Sequence, residues 1–172
     1  GEETDGHRFI EGAFKAGAAG AIVESPVDYP HVLVPDSTKA LNDLGRAARK
    51  RSHAKVIGVT GSAGKTGTKE ALAAALDRFA PGRVHRSVKS YNNHVGVPLS
   101  LARMPRDARF AVLEMGMNHA GELAALTQLV RPHVAIVTTI APAHQEFFAT
   151  LEDIADAKAE IFDGLLRHGT AV

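Results

Sequence analysis

The chain has 172 residues, which is the length of one domain or of one domain with part of another. Its 20 Lys and Arg residues nearly balance 19 Asp and Glu residues, and this small net charge argues against a dedicated nucleic-acid-binding protein. The absence of cysteine excludes disulfides, thiolate zinc sites and cysteine nucleophiles, and no apolar run reaches the roughly 20 residues of a membrane span.

The first 36 residues predict a helix followed by two strands. Asp5 can cap a helix that carries apolar residues such as Ile10 on one face. Short apolar runs at 21–23 and 31–34 are typical of strands. Because this segment is too short to enclose a core, we expect residues 1–36 to be the C-terminal part of a small α/β N-terminal domain.

A connecting helix is predicted within residues 37–54, with Asp36 as its N-cap. The apolar residues on one face of this helix are Leu41, Leu44 and Ala48. Its basic end, residues 46–51, has two interpretations: a phosphate-binding patch, or cations that suit the negative end of the helix dipole.

From residue 55 onwards, strands and helices alternate. Strands are predicted at 56–59, 84–88, 110–113 and 134–137, and helices near 72–79, 99–103, 123–130 and 151–165. The strands lack polar alternation, which favours a parallel sheet covered by helices on both faces. The predicted fold class is α/β, and ligands of such sheets bind at the carboxyl ends of the strands.

A glycine-rich loop carries the strongest functional signal. Its sequence, Gly61-Ser62-Ala63-Gly64-Lys65-Thr66, follows a strand and opens a helix, as a phosphate loop requires. Backbone N–H groups and the helix N-terminus would bind an anion, Lys65 would reach the β- and γ-phosphates, and the Thr66 hydroxyl would bind Mg²⁺. Val59 stands where the eight-residue form of this motif has its first glycine, so a tight glycine turn with a surface lysine is the alternative.

Polar residues follow other predicted strands. Glu114 ends one strand, where an acid can hold a metal beside the phosphate loop or cap a local group. His144 follows another strand and is either a metal ligand or a solvated loop residue. Asn92, Asn93 and Asn118 lie in turns, which asparagine favours for backbone reasons alone.

Lys158 interrupts an apolar stripe on the last predicted helix. The other members of the stripe are Leu151, Ile154, Ile161 and Leu165. A lysine there either extends its amine to solvent at the edge of the stripe or is buried with a lowered pKa, because desolvation disfavours the charged form. A neutral amine can act as a nucleophile, for instance toward carbon dioxide.

The motifs resemble those of the Mur ligases, the ATP-dependent amide-forming enzymes of peptidoglycan precursor synthesis. The similar segments, in chain order, are 5–10, 17–21, the phosphate loop with its flanks at 59–69, the Asn-Asn loop at 91–98, and 114–122. The last of these is similar to the segment that marks the cytoplasmic family member that adds D-alanyl-D-alanine.

The resemblance implies roles for individual residues. The residues that would bind ATP are Gly61, Ser62, Ala63, Gly64, Lys65, Thr66 and Gly67. Thr66 and Glu114 match ligands of one magnesium ion, and His144 matches the ligand of a second. Lys158 matches a lysine that the family carboxylates to a metal-binding carbamate. Asn92, Asn93 and Asn118 match loops near the nucleotide and acceptor sites.

The implied enzyme is a monomer of the bacterial cytoplasm that joins UDP-N-acetylmuramoyl-tripeptide to D-alanyl-D-alanine, with no nucleic-acid or membrane partner. Residues 55–172 would be most of its ATP-binding central domain, and we expect the chain to be a fragment that is inactive alone. Gly67 departs from the family, which commonly has threonine there, and Thr139 and Ile140 stand where a turn with asparagine is frequent. The alternatives are another ligase of this superfamily, such as a folylpolyglutamate synthetase, and a non-ligase nucleotide-binding module.

Overall fold

The computed structural model describes residues 5–142 and 147–172. The chain divides into two compact units, residues 1–41 and 42–172. The division lies inside a long helix, α2 (Ser37–Arg51). Among the described residues, no helix is both long and apolar enough to cross a membrane.

The first unit has the predicted order of helix and two strands. A 3-10 helix (Gly6–Phe9) leads into α1 (Ile10–Lys15), and β1 (Ala21–Val23) pairs in parallel with β2 (His31–Leu33). The Asp5 carboxylate accepts a hydrogen bond from the His7 backbone N–H at 3.0 Å, so the predicted cap is confirmed.

The second unit contains a five-stranded parallel sheet in the order β4-β5-β3-β6-β7. The strands are β3 (Lys55–Thr60), β4 (Val84–Arg86), β5 (Phe110–Glu114), β6 (Val134–Val137) and β7 (Thr170–Ala171). The helices are α3 (Lys65–Asp77), α4 (Gly96–Ala102), α5 (Glu122–Val130) and α6 (Leu151–Ala159), which continues as a 3-10 helix (Glu160–Gly164). The predicted parallel sheet covered by helices is confirmed.

Side-chain alternation along β3 separates two cores. Val59 and Ile57 pack with Ala73, and this side of the sheet is named the α3 face. Val56 packs on the other side with residues that include Ile154 and Ile161 of α6 and the 3-10 helix after it, and this side is named the α6 face. The central strand is thus buried on both sides, which explains its unbroken apolar sequence.

The basic end of α2 binds the ends of other helices. The Arg49 guanidinium donates to the backbone carbonyls of Val130 (2.7 Å) and Arg131 (2.8 Å), and Arg51 donates to that of Met104 at 3.1 Å. These carbonyls lie just after α4 and at the end of α5, where helical carbonyls lack partners. The contacts favour a structural role for this basic segment over a phosphate-binding patch.

Five details differ from the sequence-based predictions. Phe79 lies beyond the end of α3 and is 78% exposed, and Leu44 is 46% exposed, because α2 buries Gly45 and Ala48 instead. The α4 helix begins at Gly96, earlier than predicted, because proline is tolerated in a first helical turn. The last helix changes to 3-10 geometry after Ala159 instead of continuing to residue 165, and the short edge strand β7 was not predicted.

Candidate nucleotide and metal site

The glycine loop lies between β3 and α3, at the carboxyl edge of the sheet. Gly61 has a φ of +145° and Gly64 a φ of +82°, a region that favours glycine. A Cβ atom on Gly61 would lie 2.0 Å from the Thr138 hydroxyl oxygen, so the close approach also requires glycine. The sequence therefore has glycine where both backbone geometry and packing demand it.

The segment after β6 holds this loop in place. Ser62 donates its backbone N–H to the Thr139 carbonyl at 2.7 Å, and its hydroxyl donates to the Ala141 carbonyl at 3.0 Å. The Thr138 hydroxyl donates to the Ala63 carbonyl at 2.6 Å. Two loops that follow neighbouring strands are thereby fixed against each other.

Positive potential accumulates at the start of α3. Its N-cap residue, Gly64, offers no side chain to the first N–H groups of the helix, so these donors remain for a ligand. The Lys65 ammonium donates to the Gly61 carbonyl at 2.6 Å and so lies over the loop. A Cβ atom on Gly67 would meet nothing within 4 Å, so space is available for the side chain that the family commonly has there. The geometry suits a phosphate group.

Glu114 is joined to the loop by a direct hydrogen bond. The Thr66 hydroxyl donates to one carboxylate oxygen of Glu114 at 2.9 Å, and the Asn92 amide donates to the other at 2.8 Å. Only 1% of Glu114 is exposed. Three residues that the sequence placed in separate motifs thus form one cluster at the ends of β3 and β5.

The oxygen ligands in this cluster fit magnesium. Within residues 5–142 and 147–172, no group of three or more His, Cys, Asp or Glu side chains could hold a metal. Magnesium does not require such a group, because it is usually bound by one or two carboxylates together with substrate phosphates and water. The Glu114 carboxylate and the Thr66 hydroxyl, 2.9 Å apart, supply that kind of partial ligand set.

Lys69 is a site residue that sequence analysis missed. Its side chain is fully buried, and its ammonium lies 3.7 Å from Glu114 and 3.3 Å from Glu70. It also donates to the Lys89 backbone carbonyl at 2.5 Å. The signal available in the sequence was its position one turn after Lys65 on the predicted helix, at a point where an apolar residue would face the sheet.

Lys158 is buried in the α6 face of the sheet and is only 2% exposed. An amine extended to solvent is therefore excluded. Burial, and secondarily the charge of Lys65, lowers the pKa of Lys158 to about 8. Within the described part of the chain, its ammonium has neither a hydrogen bond nor an ion pair.

His144, the predicted ligand of a second metal, lies outside the described residues.

The three predicted substrate-binding asparagines line one cavity of about 550 Å³. Asn92 belongs both to the cavity lining and to the Glu114 cluster, and Glu122 also lines the cavity. The side-chain oxygen of Asn93 accepts hydrogen bonds from the backbone N–H groups of Val95 and Gly96, at the start of α4. Asn93 therefore has a local structural role, whatever else it contacts.

Comparison with known proteins supports a single family. The family model of the Mur ligase middle domain matches residues 59–172. UDP-N-acetylmuramoyl-tripeptide–D-alanyl-D-alanine ligases from Bacillus subtilis and Escherichia coli are each 41% identical to the chain, over 100% of the chain and 38% of each protein. The chain thus spans about two fifths of the length of these curated relatives.

Solved structures agree with the sequence comparison. A crystal structure of MurF from Acinetobacter baumannii has a TM-score of 0.85 and 37% identity, over 99% of this chain and 38% of that one. The MurF ligase from Thermotoga maritima, solved in complex with ADP, has a TM-score of 0.82 and 35% identity, over 99% of this chain and 40% of that one.

Proposed function

Since this chain belongs to the Mur ligase family, we propose that the protein containing it joins D-alanyl-D-alanine to UDP-N-acetylmuramoyl-tripeptide with the consumption of ATP. The observation that carries this proposal is the similarity of the whole chain to ligases named for that reaction. The alternative superfamily ligase is less favoured, because these relatives align with 100% of the chain, including the phosphate loop and the 114–122 segment.

The proposed reaction has two steps. The peptide carboxylate attacks the γ-phosphorus of ATP, which forms an acyl phosphate and releases ADP. The amine of D-alanyl-D-alanine then attacks the acyl carbon, phosphate leaves with its electron pair, and the amine loses a proton. Neither step needs a side-chain nucleophile. The protein therefore acts mainly by positioning the reactants and by stabilising the charge of the transition state.

The phosphate loop would orient the nucleotide. Residues 61–67 would surround the β- and γ-phosphates with backbone N–H groups at the start of α3. Lys65, which lies over the loop, would turn from the Gly61 carbonyl to the phosphate oxygens. A structural neighbour from Thermotoga maritima was solved with ADP, which supports nucleotide binding here.

Thr66 and Glu114 would hold a magnesium ion. Bound there, the ion would neutralise charge on the phosphate oxygens. Asn92 donates to the Glu114 oxygen that does not contact Thr66, and so it fixes the rotation of the carboxylate. The family resemblance also implies that His144 would bind a second magnesium ion.

We also propose that Lys158 is carboxylated. The neutral amine would attack the carbon of carbon dioxide and lose a proton, which leaves a carbamate with one negative charge. Support comes from the burial of Lys158, its lowered pKa and the absence of a partner for its ammonium among the described residues. An anionic carbamate near the site could bind magnesium where a buried ammonium would repel it.

The remaining assignments follow the same family logic. Asn92, Asn93 and Asn118 would contact substrate in the 550 Å³ cavity. Residues 1–36 would form the end of the UDP-sugar-binding domain, and residues 37–54 would connect that domain to the ATP-binding domain. Residues 55–172 would belong to the ATP-binding domain, for which the family match begins at residue 59. Such an enzyme would act in the bacterial cytoplasm, where ATP is available, and as a monomer.

A substrate panel tests the proposal. The complete gene product would be incubated with ATP, magnesium and either both proposed substrates, each one alone, or a folate with glutamate. We expect ADP release only with the tripeptide precursor and D-alanyl-D-alanine together. Ligation of glutamate to the folate would instead support the other superfamily ligase. ADP release at the same rate with and without any acceptor would support a nucleotide-binding module.

A further inference from the structure

Thr60 carries a buried hydroxyl that the proposed function does not use. The residue is the last of β3 and is 0% exposed. Its backbone carbonyl accepts a hydrogen bond from the Thr138 backbone N–H at 2.9 Å and lies 3.2 Å from the Thr138 hydroxyl oxygen. Its own hydroxyl has no hydrogen-bond partner among the described residues. Such a group costs about 1–3 kcal/mol, so its presence calls for an explanation.

The Thr60 side chain lies on the α6 face of the sheet. Residues in register on neighbouring parallel strands point to the same side, and Thr60 is in register with Val137. Val137 packs against the core that contains Ile154, Ala157 and Ile161. Thr60 therefore lies on the side of the sheet against which α6 and the 3-10 helix after it pack.

Thr60 and Lys158 lie at the same level of this interface. A Cβ atom on Gly58 would lie 3.6 Å from the Ile161 side chain, which places those two residues opposite each other. Thr60 is two residues further along β3, or about 6.6 Å nearer the carboxyl edge. The α6 segment returns from the end of β6 to the start of the parallel strand β7 and so runs antiparallel to both. Lys158, three residues before Ile161, is therefore about 4.5 Å nearer the same edge.

Two buried polar side chains thus lie on the same face of the sheet, near its carboxyl edge. Thr60 is 0% and Lys158 2% exposed, and the Thr60 hydroxyl has no hydrogen-bond partner among the described residues. An unmodified ammonium leaves both groups unsatisfied. A carbamate on the lysine nitrogen extends the side chain toward the strand and adds two oxygen acceptors, which a hydroxyl can satisfy.

We propose that the Thr60 hydroxyl donates a hydrogen bond to the carbamate of Lys158, and that Thr60 is a positioning residue for that group. This inference rests on the proposed carboxylation of Lys158. The hydrogen bond would stabilise the carbamate over the free amine and would fix the orientation of its oxygens.

The test compares Thr60→Val, which keeps the shape and removes the hydroxyl, with Thr60→Ser, which keeps the hydroxyl. A matched control is Thr127→Val, because the Thr127 hydroxyl is also buried but already donates to the Ile161 carbonyl at 2.7 Å. The complete gene product would be titrated with ¹³C-labelled bicarbonate, and the carbamate carbon would be followed by NMR. Thermal unfolding without bicarbonate would be measured in parallel.

We expect Thr60→Val to raise the bicarbonate concentration at half occupancy by roughly 10- to 100-fold, as for a lost hydrogen bond to a charged group. Thr60→Ser should restore the wild-type value. Thr127→Val should lower the melting temperature without changing carbamate occupancy, whereas Thr60→Val should not lower it. Equal occupancy in wild type and Thr60→Val would overturn this inference alone. A wild-type protein without a carbamate signal would overturn both this inference and the proposed carboxylation.

Discussion

Replacement of Lys69 by methionine removes a buried cation from the centre of the site. The methionine side chain has a similar length and shape, so it leaves no large cavity. The change removes the charge that lies 3.7 Å from Glu114 and the donor to the Lys89 carbonyl. Glu114, which is only 1% exposed, would then keep a negative charge with no cation beside it.

The expected cost is about 3 kcal/mol in the free energy of unfolding. Removal of one partner from a buried ion pair typically costs about 3–5 kcal/mol, because the other charge stays desolvated. The lower value applies because the Glu114 carboxylate keeps its hydrogen bonds from Thr66 and Asn92. The Lys89 carbonyl also loses a donor, but it can bind water if the loop adjusts.

Urea unfolding of the complete gene product without metal or nucleotide would measure this cost. Glu70→Gln is the matched control: Glu70 also contacts Lys69 but is half exposed, so its loss should change stability by less than about 1 kcal/mol. In a Glu114→Gln background, Lys69→Met should cost at least about 1 kcal/mol less than in the wild type, since the unpaired charge is gone. An equal cost in both backgrounds would refute the electrostatic reasoning.

Further variants test other parts of the account. Lys65→Ala should abolish ATP turnover by the complete gene product in a coupled ADP assay, whereas the exposed-lysine control Lys50→Ala should not; turnover retained by both would contradict the phosphate-loop assignment. Gly67→Ala should raise the free energy of unfolding by about 0.5–1 kcal/mol, because glycine is a poor helix former and the site has space. Gly64→Ala should lower the free energy of unfolding by about 1 kcal/mol, because the φ of Gly64 is +82°. Urea unfolding of the Gly67 and Gly64 variants distinguishes the backbone strain at Gly64 from the helix propensity gained at Gly67. Thr150→Ala should cost about 1 kcal/mol by the same measurement, because it removes the capping box at the start of α6; an unchanged value would mean that the cap is dispensable.

The sequence was most informative where local chemistry decides structure. Glycine at positions 61 and 64 is required by local geometry, so the loop was recognisable between its strand and helix. The apolar run of β3 similarly indicated burial on both faces. The stripe containing Lys158 indicated a buried lysine or an edge lysine, and packing of α6 on the sheet decided in favour of burial.

Features that depend on distant partners were not predictable. Lys69 resembles an ordinary helical lysine until the fold brings Glu114 and the Lys89 carbonyl to it. Thr60 becomes unusual only because it lies on a covered face. The 3-10 segment after Ala159 likewise has a distant partner in α5, whose Thr127 hydroxyl donates to the Ile161 carbonyl.

Transfer of isotopic oxygen tests the proposed ligase chemistry most directly. The UDP-N-acetylmuramoyl-tripeptide would carry ¹⁸O in the carboxylate to be activated, and the phosphate released by the complete gene product with D-alanyl-D-alanine would be analysed by mass spectrometry. An acyl phosphate intermediate transfers one carboxylate oxygen to each phosphate formed, so we expect labelled phosphate in step with the amide product. Phosphate that carries no ¹⁸O while ADP accumulates would mean that water attacks the nucleotide, and it would contradict the account.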